Sequence, residues 1–103
     1  MEYRLDNFSR NPQILLDRLA ANCRARRLEK GYSRRTLSDL TGVPAPTIEH
    51  FERTGRISLE SFCRITVIFD YFDELAAVMD HTKYSTSREL ETINRNHDRK
   101  NGR

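Results

Sequence analysis

Three glycines, Gly31, Gly42 and Gly55, cut the middle of this chain into pieces too short for anything but small helices. Each one closes a segment with helical spacing of apolar residues. Each is then followed by residues suited to start another helix: Ser33 after Gly31, Pro44 and Pro46 after Gly42, and Ser58 after Gly55. A chain punctuated in this way specifies a series of helices joined by tight turns.

The segments read as follows. Asn11-Pro12 starts the first helix, with Asn as the cap and Pro in the turn where its missing N–H costs nothing. Leu15, Leu16, Leu19 and Cys23, and after a drift Arg26/Arg27, share a related face of it, and Lys30 before Gly31 suits the negative end of the dipole. Ser33 caps a second helix running to about Thr41, with Leu37 and Leu40 as its apolar positions. The two prolines confine the start of the third to residues 44–46, and Ile48 and Phe51 point inward. Ser58 caps a fourth, with Leu59, Phe62, Cys63, Ile65, Thr66 and Phe69 on a broad apolar face. A fifth begins at Asp70 or Tyr71 and carries Phe72, Leu75, Ala76, Val78 and Met79.

Beyond His81 apolar residues thin out. Leu90 and Ile93 support one marginal helix, and Asn94 to Arg103 has a disordered composition. The first ten residues, with Tyr3, Leu5 and Phe8, read as an arm or a short strand; no other strand pattern is convincing. The expected architecture is all-α: an N-terminal arm over 1–12, a five-helix domain over 13–80 and a basic, partly disordered C-terminal tail over 81–103.

Length and composition exclude several classes. At 103 residues the chain has room for one domain. No apolar run approaches the ~18 residues of a membrane span, and no apolar segment of the secretory type follows Met1. Cys23 and Cys63 are two lone thiols, too few for a disulfide scaffold or a zinc site, which points to a reducing cytoplasm. His81 and His97 have no metal-ligand spacing with anything. There is no phosphate-binding glycine loop, no H-E-x-x-H and no Cys/His constellation, so neither an enzyme nor a cofactor is expected.

The net charge of +3 is unevenly laid out. Residues 18–35 carry Arg18, Arg24, Arg26, Arg27, Lys30, Arg34 and Arg35 against Glu29 alone, a net +6, whereas residues 36–80 net −5. Segregated charge gives the molecule a directional field, and a basic stripe attracts polyanions.

Two short helices joined through Leu40-Thr41-Gly42-Val43, behind a longer first helix, have the helix-turn-helix arrangement. Gly42 permits the turn, Val43 plugs between the helices, and the small Ser38 lies one helical turn before Gly42, where the helices approach. The stretch Arg27 to Ile65 resembles the Cro/phage-repressor (XRE) family in Gly31-Tyr32-Ser33-Arg34, Leu37-Ser38-Asp39-Leu40-Thr41-Gly42-Val43, Thr47-Ile48-Glu49-His50-Phe51-Glu52-Arg53 and Ser58-Leu59. With the first and fifth helices the resemblance covers about residues 13–79. Phe51 to Phe62 is further similar to small HipB-like antitoxins, which are encoded beside HipA-like kinase toxins, and the basic tail fits that group.

The resemblance implies a dimeric, phage-repressor-like domain that places its third helix in the major groove of an operator with two half-sites. Base contacts then fall to Ala45, Pro46, Thr47, Glu49 and His50. The family commonly has polar readers where Ala45 and Pro46 stand, so these two are left with thymine methyls and shape. Direct reading leans on His50, Thr47 and Glu49, the last accepting from a cytosine amino group. Phosphate contacts fall to Ser33, Arg34 and Arg35 at the second helix and to Arg53, Thr54 and Arg56 after the third. Arg27 and Glu52 match a buried ion pair joining the first and third helices.

Tyr71, Phe72, Leu75, Val78 and Met79 exceed what a short terminal helix needs and suit a two-fold homodimer seam. The implied function is a repressor that autoregulates a toxin–antitoxin operon. The alternatives are a module that mainly binds the toxin, and a phage or plasmid repressor with no toxin partner.

Overall fold

The computed structural model describes residues 10–83, 91–92 and 94–96, and among them it is all-helical, with no strand. The first five helices are, in order, α1 (Pro12–Glu29), α2 (Arg34–Thr41), α3 (Ala45–Thr54), α4 (Leu59–Ile68) and α5 (Phe72–Ala76). Tyr3, Leu5 and Phe8 of the expected arm, Leu90 and Ile93, and His97 with the rest of the tail lie outside the described residues. Residues 91–92 and 94–96 are helical, so Asn94, Arg95 and Asn96 are ordered as helix rather than disordered as their composition suggests. The chain divides into two compact units, Met1–Phe72 and Asp73–Arg103. The expected 13–80 domain takes in the first from α1 onward and reaches into the second.

Local chemistry sets the helix ends. Asn11 Oδ1 accepts from the Gln13 amide at 2.8 Å, Ser33 Oγ from Thr36 at 3.0 Å and Ser58 Oγ from Ser61 at 3.1 Å. These bonds satisfy amides that lack partners at a helix start. α2 and α3 end in the same device, a Thr–Gly pair. Thr41 Oγ1 donates back to the Leu37 carbonyl at 2.8 Å and accepts from the Val43 amide at 3.1 Å, while Gly42 sits at φ 80°. Thr54 Oγ1 donates to the His50 carbonyl at 2.7 Å and accepts from Arg56 at 3.1 Å, with Gly55 at φ 81°. Each hydroxyl bonds back to the carbonyl four residues before it and takes the first amide beyond the left-handed glycine.

In the first unit α1 packs on α3, α3 on α2, and α2 on α4. The core comprises Ala20 and Cys23 of α1, Leu37, Val43, Ile48, Phe51, Ile65 and Phe69. Phe62 meets Phe51 edge-on at 5.8 Å, and Tyr32 stacks on Phe69 at 6.5 Å. Val43, in the turn between α2 and α3, is buried in this core, as expected.

Four expectations need correction. Leu40 does not turn inward. It is 49% exposed, because Leu37 already occupies the inner line of this eight-residue helix, and Leu40 falls on its flank. Leu15 is outside the inward stripe of α1, which runs Leu16, Ala20, Cys23, Arg27 at spacings of four, three and four. Leu59, at the first position of α4, is exposed. The fifth helix begins at Phe72 and stops at Ala76, leaving Val78 and Met79 in the turns after it. Met79 takes φ 65°, a conformation that cannot continue a right-handed helix.

Gly55 combines a left-handed backbone with a close neighbour: a Cβ there would lie 2.9 Å from Leu16 Cβ and 3.0 Å from its carbonyl carbon. Gly31 has similar φ, but nothing within 4 Å. Gly31→Ala should therefore cost about 1–2 kcal/mol, and Gly55→Ala about 3 kcal/mol or more because α1 must also move off α3. Urea unfolding followed by circular dichroism measures both.

Candidate functional site

α3 has two distinct faces. Ile48 and Phe51 are buried, and the Glu52 side chain retains only 3% exposure. On the other side Pro46, His50 and Arg53 are exposed, and Ala45, Thr47 and Glu49 are partly so. Positions 46, 49, 50 and 53 follow the spacing of one helical stripe, opposite the buried one.

The inner face is held by an ion triad. Arg27 grips Glu52 with both arms, Nε to Oε2 at 2.7 Å and the terminal NH2 group to Oε1 at 3.0 Å. Its remaining arm donates to the Tyr32 carbonyl at 2.9 Å. Arg34 Nε reaches the same Glu52 Oε1 at 3.1 Å. The bidentate Arg27–Glu52 pair thus forms as expected, and its hydrogen bonds raise the Arg27 pKa further above its already high value. Arg34, expected at a phosphate, has its Nε turned to Glu52 and keeps a side chain 41% exposed. No buried side-chain nitrogen or oxygen among the described residues lacks a partner.

A second tie crosses from the start of α1 to the end of α3. Gln13 Nε2 donates to the Thr54 carbonyl at 2.9 Å and to Asp17 at 2.8 Å, and Gln13 Oε1 accepts from Arg56 at 3.1 Å. Sequence reasoning missed Gln13. Its signal was present only as an amide at the exposed start of a helix, a position that names no partner.

The remaining expected residues fall as follows. Ser33 is exposed, but its hydroxyl caps α2 and donates to Thr36 Oγ1 at 3.0 Å. The hydroxyl proton of Thr54 is likewise engaged within α3. Arg35 is exposed in the first turn of α2, a turn that holds no acidic residue. Two arginines beside the positive end of a helix dipole disfavour each other and attract anions. Arg53 Nε donates to Glu49 Oε2 at 3.1 Å, and its NH2 group lies 3.4 Å from His50 Nδ1. Tyr71 and Phe72 in the first unit are about half exposed, and in the second unit Val78 and Met79 are exposed while Leu75 is partly buried.

Cys23 packs beside the triad. Burial, then the Glu52 carboxylate, push its thiol up from 9.0 to about 11, against a smaller opposing pull from Arg27. It is a protonated, apolar-like filler rather than a nucleophile. Among the described residues no group of three or more His, Cys, Asp or Glu is placed to hold a metal ion, and no helix is long and apolar enough to cross a membrane. No family model, curated protein or solved structure matches the chain.

Glu52→Gln leaves Arg27 buried without a counterion and should destabilise the fold by about 3–5 kcal/mol, whereas Arg34→Ala, at a half-exposed position, should cost under about 1 kcal/mol. Denaturant midpoints at constant slope test the contrast. The raised thiol pKa gives a second outcome. Its contribution is complete below pH 9, where folded and unfolded thiols are both protonated, and is lost as pH rises toward 11. Stability should fall by about 2–3 kcal/mol across that window, and by correspondingly less in Cys23→Ala, as urea titrations at pH 8 to 11 would measure.

Proposed function

We propose that this chain is a DNA-binding protein of the phage-repressor helix-turn-helix type, with α3 as the helix laid into the major groove. One observation carries the reading: the outward stripe of α3, Pro46, Glu49, His50 and Arg53, is open to solvent on a helix whose opposite face is buried and pinned through Glu52. Reading bases requires this combination, a rigid helix with a polar face held proud of the core. Arg35 and Arg34 in the first turn of α2, with Arg53 and Arg56 at the end of α3, supply cationic groups for phosphates. Ser33 and Thr54 serve that surface by shaping the backbone that presents it.

On this reading Pro46 and Ala45 contact thymine methyls and exclude other shapes, while Thr47, Glu49 and His50 hydrogen-bond base edges. Two copies bind an operator of two half-sites, with exposed Tyr71 and Phe72, together with Leu75, Val78 and Met79, as candidates for the seam. The narrower reading as a HipB-like antitoxin rests on the resemblance over Phe51 to Phe62 and adds a kinase-like toxin as partner. Co-purification with the product of a kinase-like gene beside its own would support it.

The test is a gel shift on the DNA upstream of the chain's own gene at two salt concentrations, with random duplex as control. The upstream fragment should be retarded at lower protein concentration than random DNA, and affinity should fall steeply with salt. Arg56→Gln should reduce the salt slope by about one. His50→Ala should cost about 1–3 kcal/mol on the preferred fragment and little on random DNA. A chain that shifts neither fragment at about 50 mM salt removes the reading.

A further inference from the structure

α3 carries two carboxylates, and they are placed oppositely. Glu52 is sealed in the triad, whereas Glu49 stands on the outer stripe with a side chain 44% exposed. Glu49 uses that position to hold Arg53, one turn further along, by an ion pair of 3.1 Å, and the same guanidinium leans on His50. Arg53 is 61% exposed, so the pair is open to exchange with other partners. A carboxylate on a surface meant for DNA is costly in itself, since phosphates repel it. Here it also occupies a cation suited to neutralise a phosphate.

We propose, resting on the DNA-binding reading, that Glu49 is a specificity-determining gate: it withholds Arg53 from the phosphate backbone until a base amino group takes the carboxylate in its place. Glu49 has no hydrogen to donate, so among major-groove edges it pairs only with the amino groups of cytosine and adenine. Where such a group faces it, the carboxylate has a new donor and Arg53 is released to a phosphate. Where thymine O4 or guanine O6 faces it, acceptor meets acceptor, and Arg53 stays bound to Glu49. One side-chain exchange thereby couples a base contact to a phosphate contact. The discrimination lies in the number of phosphates neutralised as well as in the base pair.

The coupling has a signature that simple charge repulsion lacks, because it passes through Arg53. The experiment uses the full chain, a duplex recovered by selection from a randomised library, and a scrambled duplex, with affinities measured by fluorescence anisotropy across a salt series. For the wild type the salt slope should be steeper on the selected duplex than on the scrambled one. Replacing the single cytosine or adenine read by Glu49 with thymine should cost about ten-fold in affinity and also flatten the slope by about one phosphate. Glu49→Gln should bind scrambled DNA several-fold tighter with a slope steeper by about one, and this gain should vanish in Glu49→Gln/Arg53→Gln.

If the gain persists in the double variant, Glu49 acts by bulk repulsion and the gate is overturned. Equal wild-type slopes on both duplexes overturn it as well, while leaving DNA binding intact. Failure of the wild type to bind any duplex is the separate outcome that removes the DNA-binding reading itself. Unfolding midpoints of the variants guard against misfolding, and since both side chains are on the surface they should lie close to wild type.

Discussion

The first compact unit is organised around one carboxylate almost shut off from water. Glu52 is buried at the centre of the α1–α2–α3 junction, and a lone carboxylate there would be prohibitive. Arg27 removes most of that cost with a two-armed grip and uses its last arm on the Tyr32 carbonyl; Arg34 adds a third cationic donor from α2. Three elements of secondary structure and the loop between two of them thus meet at one residue. The consequence for α3 is rotational. With Glu52 held in place, and Ile48 and Phe51 in the core, the helix cannot turn about its own axis, and the stripe through Pro46, His50 and Arg53 has to face out.

A second constraint works at the opposite end of α1. Gln13 takes hold of the Thr54 carbonyl and of Arg56, while Gly55 lets the backbone close against Leu16. α3 is therefore tied to α1 from both the first and the last turns of that longer helix. The cations of this region differ in their commitments. Arg27 is structural, and Arg34 is divided between Glu52 and solvent. Arg53 and Arg56 are held by partly exposed partners, and Arg35 projects from a helix start that already carries partial positive charge. This gradation separates groups that maintain the fold from groups able to change partner.

Much of this organisation is legible in the amino acids because its causes are local. Caps at Asn11, Ser33 and Ser58, the proline-defined start of α3 and the glycine stops depend on neighbours a few residues away. Ile48 and Phe51 are legible because helical spacing leaves them one direction to point, and Val43 because it follows the glycine turn between two helices. Arg27–Glu52 is suggested only by the family resemblance, since charge and spacing alone pair neither residue with the other. What escapes is the behaviour of long side chains with several partners in reach. Arg34 turned toward Glu52 and Gln13 bridged two helices according to distances that exist only once α1, α2 and α3 are packed, whereas Glu49 and Arg53, four apart in one helix, were within local reach of each other. Leu40 misled for a related reason, since one face of a short helix needed fewer apolar residues than it offered. Such choices lie in tertiary geometry, beyond propensity and pattern.

The matched Thr–Gly stops, with proline at the opening of α3, leave that helix no freedom of length. Its ten residues are bounded by a ring that cannot be entered from within the helix and a left-handed step that cannot be crossed from it. An inserted residue would swing everything downstream by about 100°, carrying the buried acid out to water and a solvent-facing group into the core. Replacement of individual outer side chains meets no such obstacle. Divergence among descendants of this chain is thereby channelled into swaps on a scaffold of constant pitch, as type is changed in a fixed frame.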